Sequence, residues 1–398
     1  MDHDSGHPRG FNTKLSHTGR AGKRVHGFVN PAVHRGSTVL QPSMAKRKEF
    51  QSARMEQELI YGVLGTPTHW PLEDVVAEIE GGTRCQIVSS GLAAVTVPLQ
   101  AYLKSGDHCL MPDSVYGPAR AFCDNFLSRF GVVTSYYDPC ITPDALAPMF
   151  RPNTTVLYTE SPGSHTFEVQ DVPGLAAVAH AKGAKVLMDN TWGIHHFQPF
   201  QHGVDCSIQA LTKYVVGHSD VLLGSVTVNT REDWERVRGT ALAVGQYASP
   251  DDCWLALRGV RTMGVRLARQ MQSGIEVASW LAGRPEVMRV LHPALPSCPG
   301  HEFWKRDFTG ACSLFGVVFQ PQYSEEAVIA MAEALDLFGI GASWGGYESL
   351  ALPTTVTRTA GSGGFGGRML RLHIGLEDVA DLVADLEKGL AVLRAHGA

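Results

Sequence analysis

Residues 155–189 read TVLYTESPGSHTFEVQDVPGLAAVAHAKGAKVLMD. A β-branched and apolar run, TVLYT (155–159), leads into VPGLAAVAHAKG (172–183), whose apolar residues recur at helix spacing, and then into a second apolar run, KVLMD (185–189). Strand, helix, strand at this rhythm is the repeating unit of a parallel sheet with helices on both faces. Working outward, the same alternation holds from about Gly65 to Asn229. On the N-terminal side the expected strands are Thr83–Ser89, Asp107–Met111 and Gly131–Tyr137, with LAAVTVPLQAYLK (92–104) and PARAFCDNFLSRF (118–130) between them. On the C-terminal side they are Asp205–Ile208 and Gly224–Val228. The expected fold class is α/β with a mainly parallel central sheet. In such sheets a ligand sits at the carboxyl ends of the strands, so chemistry is sought just after each one.

The flanks are different. Residues before about Arg54 are rich in Gly, His, Pro and basic side chains and show no sustained period. They read as an arm, partly extended through HGFVNPAVHRGSTVL (26–40), with enough apolar residues to dock on something. Beyond the sheet, Asp251–Trp280 reads as one long bridging helix. A smaller α+β unit follows, with strands ACSLFGVVFQ and RMLRLHIG and helices SEEAVIAMAEALDLF and EDVADLVADLEKGLAVLRAH. The glycine cluster GSGGFGG (361–367) reads as a flexible loop, because it does not lie between a strand and a helix as a nucleotide-binding loop would. The expected division is an arm over 1–64, a large domain over 65–260 and a C-terminal domain over 261–398.

Composition narrows the function. In 398 residues, 34 Lys and Arg face 39 Asp and Glu, and the net charge of −5 gives no basic stripe for nucleic acid. No apolar run is long enough to span a bilayer, and MDHDSGHPRG lacks the apolar core of a secretory signal. None of the eight cysteines forms a CxxC pair, so the chain shows neither a zinc ribbon nor a thioredoxin motif. The expectation is a cytoplasmic enzyme that binds neither membrane nor nucleic acid.

Three features carry chemistry. Ser90-Gly91-Leu92 turns from a strand into a helix, where backbone N–H groups and the positive dipole end can hold an anion, although many such turns use Ser and Gly for geometry alone. Asp189 ends an apolar strand, where a carboxylate needs a cation or a donor, or else serves to form the turn into Asn190-Thr191-Trp192. Lys213 lies in SIQALTKYVVGHSD (207–220), flanked by hydroxyls in a largely uncharged run. Partial burial there would lower its pKa and free the amine, whereas a lysine reaching to the surface would do neither. Together, an anion cradle, a carboxylate at a central strand end and a lysine two dozen residues later are what pyridoxal 5'-phosphate (PLP) requires.

The chain resembles the Cys/Met-metabolism family of fold-type I PLP-dependent enzymes, most closely its bacterial cystathionine β-lyases. The resemblance runs from about Thr13 to the last helix. It is carried by ESPGS (160–164), DNTW (189–192), SIQALTKYVVGHSD (207–220), HEFWKRDFTG (301–310), SWGGYESL (343–350) and RLHIGLEDV (371–379). It implies that Lys213 carries the cofactor as a Schiff base and moves protons, that Asp189 pairs with the pyridinium, and that Tyr116 stacks on the ring and assists Lys213. It further implies a phosphate site from Ser90, Gly91, Leu92, Ser207 and Thr212. Arg371 would bind the substrate carboxylate, and Ser343 and Trp344 would line the substrate side. Tyr61 would touch cofactor and substrate from a neighbouring subunit, making a homodimer or homotetramer the working assembly. The activity implied is β-elimination of L-cystathionine to homocysteine, pyruvate and ammonia, the alternative being a lyase of the same family that acts on another amino acid with a β- or γ-leaving group. Lysine and aspartate are shared with γ-acting relatives, so the Ser343-Trp344 pair is the feature that favours β over γ.

One departure stands out. Where the family usually has Tyr-x-Arg-x-Gly, this chain has Tyr61-Gly62-Val63-Leu64-Gly65. Val63 removes a charge-assisted contact to the cofactor phosphate, so weaker cofactor retention or a substitute cation is expected. The rival readings have less support. A cofactor-binding regulator would need a basic DNA-binding module, and none is visible. His195, His196, His202 and Asp205 lie close in sequence but lack a zinc-hydrolase spacing.

Overall fold

The computed structural model describes residues 9–20, 27–361 and 364–396. Two short helices open it, α1 (Phe11–His17) and α2 (Met44–Ser52), then α3 (His69–Glu80). Strands and helices then alternate as β1 (Arg84–Val88), α4 (Gly91–Tyr102), β2 (His108–Pro112), α5 (Gly117–Asn125), β3 (Val133–Tyr137), α6 (Pro143–Leu146), β4 (Thr154–Glu160), α7 (Val172–Ala181) and β5 (Lys185–Asp189). Next come β6 (Cys206–Gln209), β7 (Gly224–Val228), α8 (Arg231–Ala243), α9 (Pro250–Val260) and α10 (Met263–Ala282). The C-terminal part holds β8 (Val287–Leu291), α11 (His301–Asp307), β9 (Leu314–Phe319), α12 (Glu325–Glu333), β10 (Leu350–Thr354), β11 (Met369–His373) and α13 (Val379–His396).

All seven strands expected in the first half form, and they make one sheet in the order β1-β7-β6-β5-β4-β2-β3. The pairs among β3, β2, β4, β5 and β6 are parallel, and β7 runs antiparallel between β6 and β1. Burial on both faces explains why the inner strands read as continuous apolar runs: every residue of β2 and of β7 is buried. A second, antiparallel sheet has the order β10-β11-β9-β8. The fold class is therefore α/β, with a mainly parallel sheet and a smaller antiparallel one.

The expected arm contains local structure. In α1, Leu15 is 2% exposed and belongs to the same core as Leu72 and Val75 of α3 and Met263 and Leu267 of α10. By contrast, α2 buries no residue. Residues 21–26 of the arm and 362–363 of the glycine cluster lie outside the described residues.

The single helix expected over Asp251–Trp280 is two, broken at Arg261-Thr262. Arg266 donates from Nη2 to the Gly259 carbonyl at 2.9 Å, closing the end of α9, while Arg261 Nη1 donates to the carbonyls of Leu15 and Thr18. Apolar periodicity continues through the break, so it gives no warning of it. Strands β8 and β10 were also unread. β10 carries Pro353, which an edge position tolerates, and it lies at the sheet's edge.

Candidate active site

The carboxyl ends of five strands open into one cavity of about 540 Å³. β1 delivers Ser90, Gly91 and Leu92, β2 delivers Tyr116, β4 Glu160, β5 Asp189, and β6 Ala210, Thr212 and Lys213. The smaller sheet closes it with Arg371 from β11, and the loop before β10 adds Ser343 and Trp344. The alternation of strand and helix brings Ser90 and Lys213 to one edge of the large sheet, and the smaller antiparallel sheet adds Arg371.

Lys213 is half-buried and donates from Nζ to Ser343 Oγ at 2.6 Å. Burial, and then the Arg371 charge, pull its pKa down to about 8 against the attraction of Asp189. Its ammonium lies 5.3 Å from the centroid of the Trp344 ring. Ser343 takes the left-handed backbone, with φ 72°, and Gly345 comes so close to Lys213 that a Cβ would sit 2.9 Å from the lysine carbonyl carbon. Arg371 is 8% exposed and donates to the carbonyls of Ser343 at 2.9 Å and Gly341 at 3.2 Å. One loop therefore aligns the lysine and the arginine together.

Asp189 accepts from the Thr191 amide at 3.0 Å and the Thr191 hydroxyl at 2.6 Å. Loss of water raises its pKa, while Thr191 and the Lys213 charge oppose the shift. Its neighbour across β4 and β5 is Glu160. Burial, followed by the Asp189 charge, lifts the Glu160 carboxyl well above the ordinary range, and its Oε2 accepts from the Tyr116 amide at 2.7 Å. Tyr116 thus enters the cavity on a backbone fixed by a carboxyl of the next strand.

At the N-terminus of α4, Ser90 Oγ accepts from the Ala93 amide at 3.1 Å. The amides of Gly91 and Leu92 have no partner among the described residues and sit at the cavity wall. A Cβ on Gly91 would approach the Ala210 Cβ to 2.7 Å, so only glycine lets the helix end and the lysine loop meet. Thr212 Oγ1 donates to the Leu223 carbonyl at 3.1 Å and accepts the Leu223 amide at 3.0 Å. In this structure its proton is already committed.

Two expected residues are not in the cavity of their own chain. Ser207 lies within β6 rather than beyond it, fully buried, and its hydroxyl bonds the Glu80 carboxylate. Strand alternation is the reason: Ser207 and Gln209 share the face toward α3, where both meet Glu80, and the cavity begins only at Ala210. Ser207 is therefore withdrawn from the phosphate site. Tyr61 is 49% exposed and does not line the cavity of its own chain.

The sequence reading missed Glu160, His165, Phe167, Thr191 and Leu222, all at the cavity wall. Glu160 had a readable signal, since it ends β4 as Asp189 ends β5. The residues weighed as metal ligands form no group of three placed to hold a metal ion among the described residues. His195 stacks on Phe11 with centroids 3.7 Å apart, and Asp205 bonds His180 and Lys185.

The donor set fits PLP: an amine with a depressed pKa, a carboxylate at a strand end, free amides at a helix N-terminus and an aromatic ring from β2. Residues 12–391 match the family described as Cys/Met metabolism PLP-dependent enzyme. The chain belongs to that family. It is 48% identical to a putative cystathionine β-lyase of Rhizobium johnstonii, over 97% of each chain. It is 42% identical to the cystathionine β-lyase MetC of Escherichia coli, covering 96% of this chain and 98% of that one. Among solved structures, metB of Corynebacterium glutamicum superposes with a TM-score of 0.88 at 29% identity, covering 97% of this chain and 98% of that one. This member of the family has no helix among its described residues long and apolar enough to cross a membrane.

Proposed function

We propose that the chain is a cytoplasmic carbon–sulfur lyase that cleaves L-cystathionine by β-elimination to homocysteine, pyruvate and ammonia. When bound, PLP supplies an aldehyde for amine exchange and a protonated ring that withdraws electrons from the substrate α-carbon. Lys213 would hold the cofactor's aldehyde, Asp189 its ring nitrogen, and the Gly91 and Leu92 amides its phosphate, with Tyr116 against the ring. Arg371 would bind the substrate α-carboxylate through the fork geometry that guanidinium shares with carboxylate. Lys213 Nζ, released by the incoming amine, would take the α-proton and return a proton to the departing thiol, with Tyr116 assisting.

The observation that carries this reading is the Lys213 amine held at 2.6 Å from Ser343 Oγ, on the same loop that binds Arg371. It supports Lys213 as the proton-moving group, since its amine also feels the charges of both Arg371 and Asp189. Trp344, with its ring 5.3 Å from the amine, is the residue on which the preference for the β-carbon over the γ-carbon rests in this reading. Lys213→Ala should bind PLP without forming the lysine imine and should lose turnover of L-cystathionine. Robust turnover by that variant would refute the assignment.

A shared site, with Tyr61 contributed by a second subunit, belongs to the same proposal. Its support is Tyr61 standing half-exposed and outside its own cavity, together with exposed Val63, Leu92 and Leu222, which are 36%, 42% and 69% accessible in the single chain. The proposed assembly is a homodimer or a pair of dimers.

A further inference from the structure

His165 stands on the cavity wall with no role assigned so far. It is held in a turn fixed by backbone bonds: Phe167 N to Gly163 O at 2.9 Å, Gly163 N to Glu168 O at 2.9 Å, and Ser164 N to Ser114 O at 2.8 Å. Its φ of 62° lies in the left-handed region, which histidine tolerates better than most residues but which still costs free energy. Its imidazole makes no hydrogen bond with any described residue; Nδ1 is enclosed, whereas Nε2 is not. A backbone held this firmly, presenting at a strained position an imidazole without a protein partner, needs a reason.

The turn also has a definite neighbour. Gly316 of β9 pairs directly with Arg371 of β11. A Cβ at Gly316 would lie 3.2 Å from the Phe167 ring and 3.4 Å from the His165 carbonyl oxygen. The bare glycine thus lets the 163–168 turn settle against the strand that carries Arg371's partner. Arg371 accordingly acts on His165: burial first, and the guanidinium charge second, push the imidazole pKa down to about 4. Near neutral pH the ring is uncharged and carries a single N–H.

We propose that His165 is a second substrate-binding residue, whose ring N–H at Nε2 donates to the carboxylate that Arg371 binds. The proposal rests on the reading of Arg371 as the carboxylate site. A neutral donor there adds a directed hydrogen bond without setting a second positive charge beside the arginine. It selects amino acids over simple amines.

The test uses the PLP-loaded protein and two probes that have no leaving group, L-alanine and ethylamine, titrated by the change in cofactor absorbance. His165→Gly keeps the left-handed backbone without strain but removes the ring, and His165→Asn keeps both that backbone and a donor. His165→Gly should weaken L-alanine binding about tenfold or more while leaving ethylamine binding unchanged, and His165→Asn should recover most of the loss. Unchanged L-alanine affinity in His165→Gly, or equal weakening for both amines, would overturn the proposal. Arg371→Ala separates it from its foundation. A loss specific to L-alanine supports the carboxylate site, and an unchanged L-alanine affinity removes that site and the pairing with it. Because neither probe is cleaved, the outcome does not depend on L-cystathionine being the substrate.

Discussion

Val63 stands where the resemblance leads us to expect an arginine. Among the described residues lining the cavity the cations are Lys213 and Arg371, and neither bonds the α4 N-terminus. Within one chain, the proposed phosphate site would then rest on the Gly91 and Leu92 amides. Val63→Arg should restore one charge-assisted contact of about 1.5–3 kcal/mol and tighten PLP retention about tenfold or more, measured as cofactor remaining after dialysis. Equal loss from both proteins would mean that position 63 does not reach the phosphate. At this scale the sequence was partly legible. Asp189 and Lys213 stood out because a charge in an apolar run is costly without a purpose. Ser207 misled, because a hydroxyl three strand positions before the cavity looks the same in one dimension as one inside it. His165 left no signal, since only the fold brings its turn against the partner of Arg371.

The elements of the large sheet were legible because its strands are short β-branched or apolar runs and the helices between them repeat with their own period. Elements held by distant partners were not. In α1 only Leu15 is buried, and its last turn is closed by Arg261, whose guanidinium accepts no share in the local pattern yet donates to the carbonyls of Leu15 and Thr18 at 2.5 and 2.9 Å. The same arginine sits where α9 and α10 part. Arg261→Ala should leave those carbonyls open and release α1, because a seven-residue helix is too short to persist alone. Hydrogen exchange would show loss of protection over Phe11–His17 with α3 and the central sheet unaffected. Retained protection at α1 would mean that Leu15 packing suffices.

For the whole molecule, the α/β architecture follows from the strand rhythm, while the assembly does not, because a surface that meets a second copy of the chain carries no periodic signature. The proposal that Tyr61 serves a neighbour's cavity has a direct consequence. Lys213→Ala and Tyr61→Phe chains should each be impaired alone, yet co-expressed they should regain about a quarter of wild-type turnover, because half of randomly formed dimers hold one intact site of two. No recovery on mixing would place Tyr61 in its own chain's chemistry, and an unimpaired Tyr61→Phe would place it outside the chemistry altogether.

The central claim is that a lysine held beside Ser343 and Trp344, between a ring-binding carboxylate and a carboxylate-binding arginine, directs cleavage to the β-carbon. The measurement that tests it most directly is incubation of the PLP-loaded wild-type protein with L-cystathionine, followed by quantification of pyruvate against 2-oxobutyrate. Pyruvate accompanied by homocysteine is the expected result. Predominant 2-oxobutyrate, or neither product from protein that holds its cofactor, would contradict it.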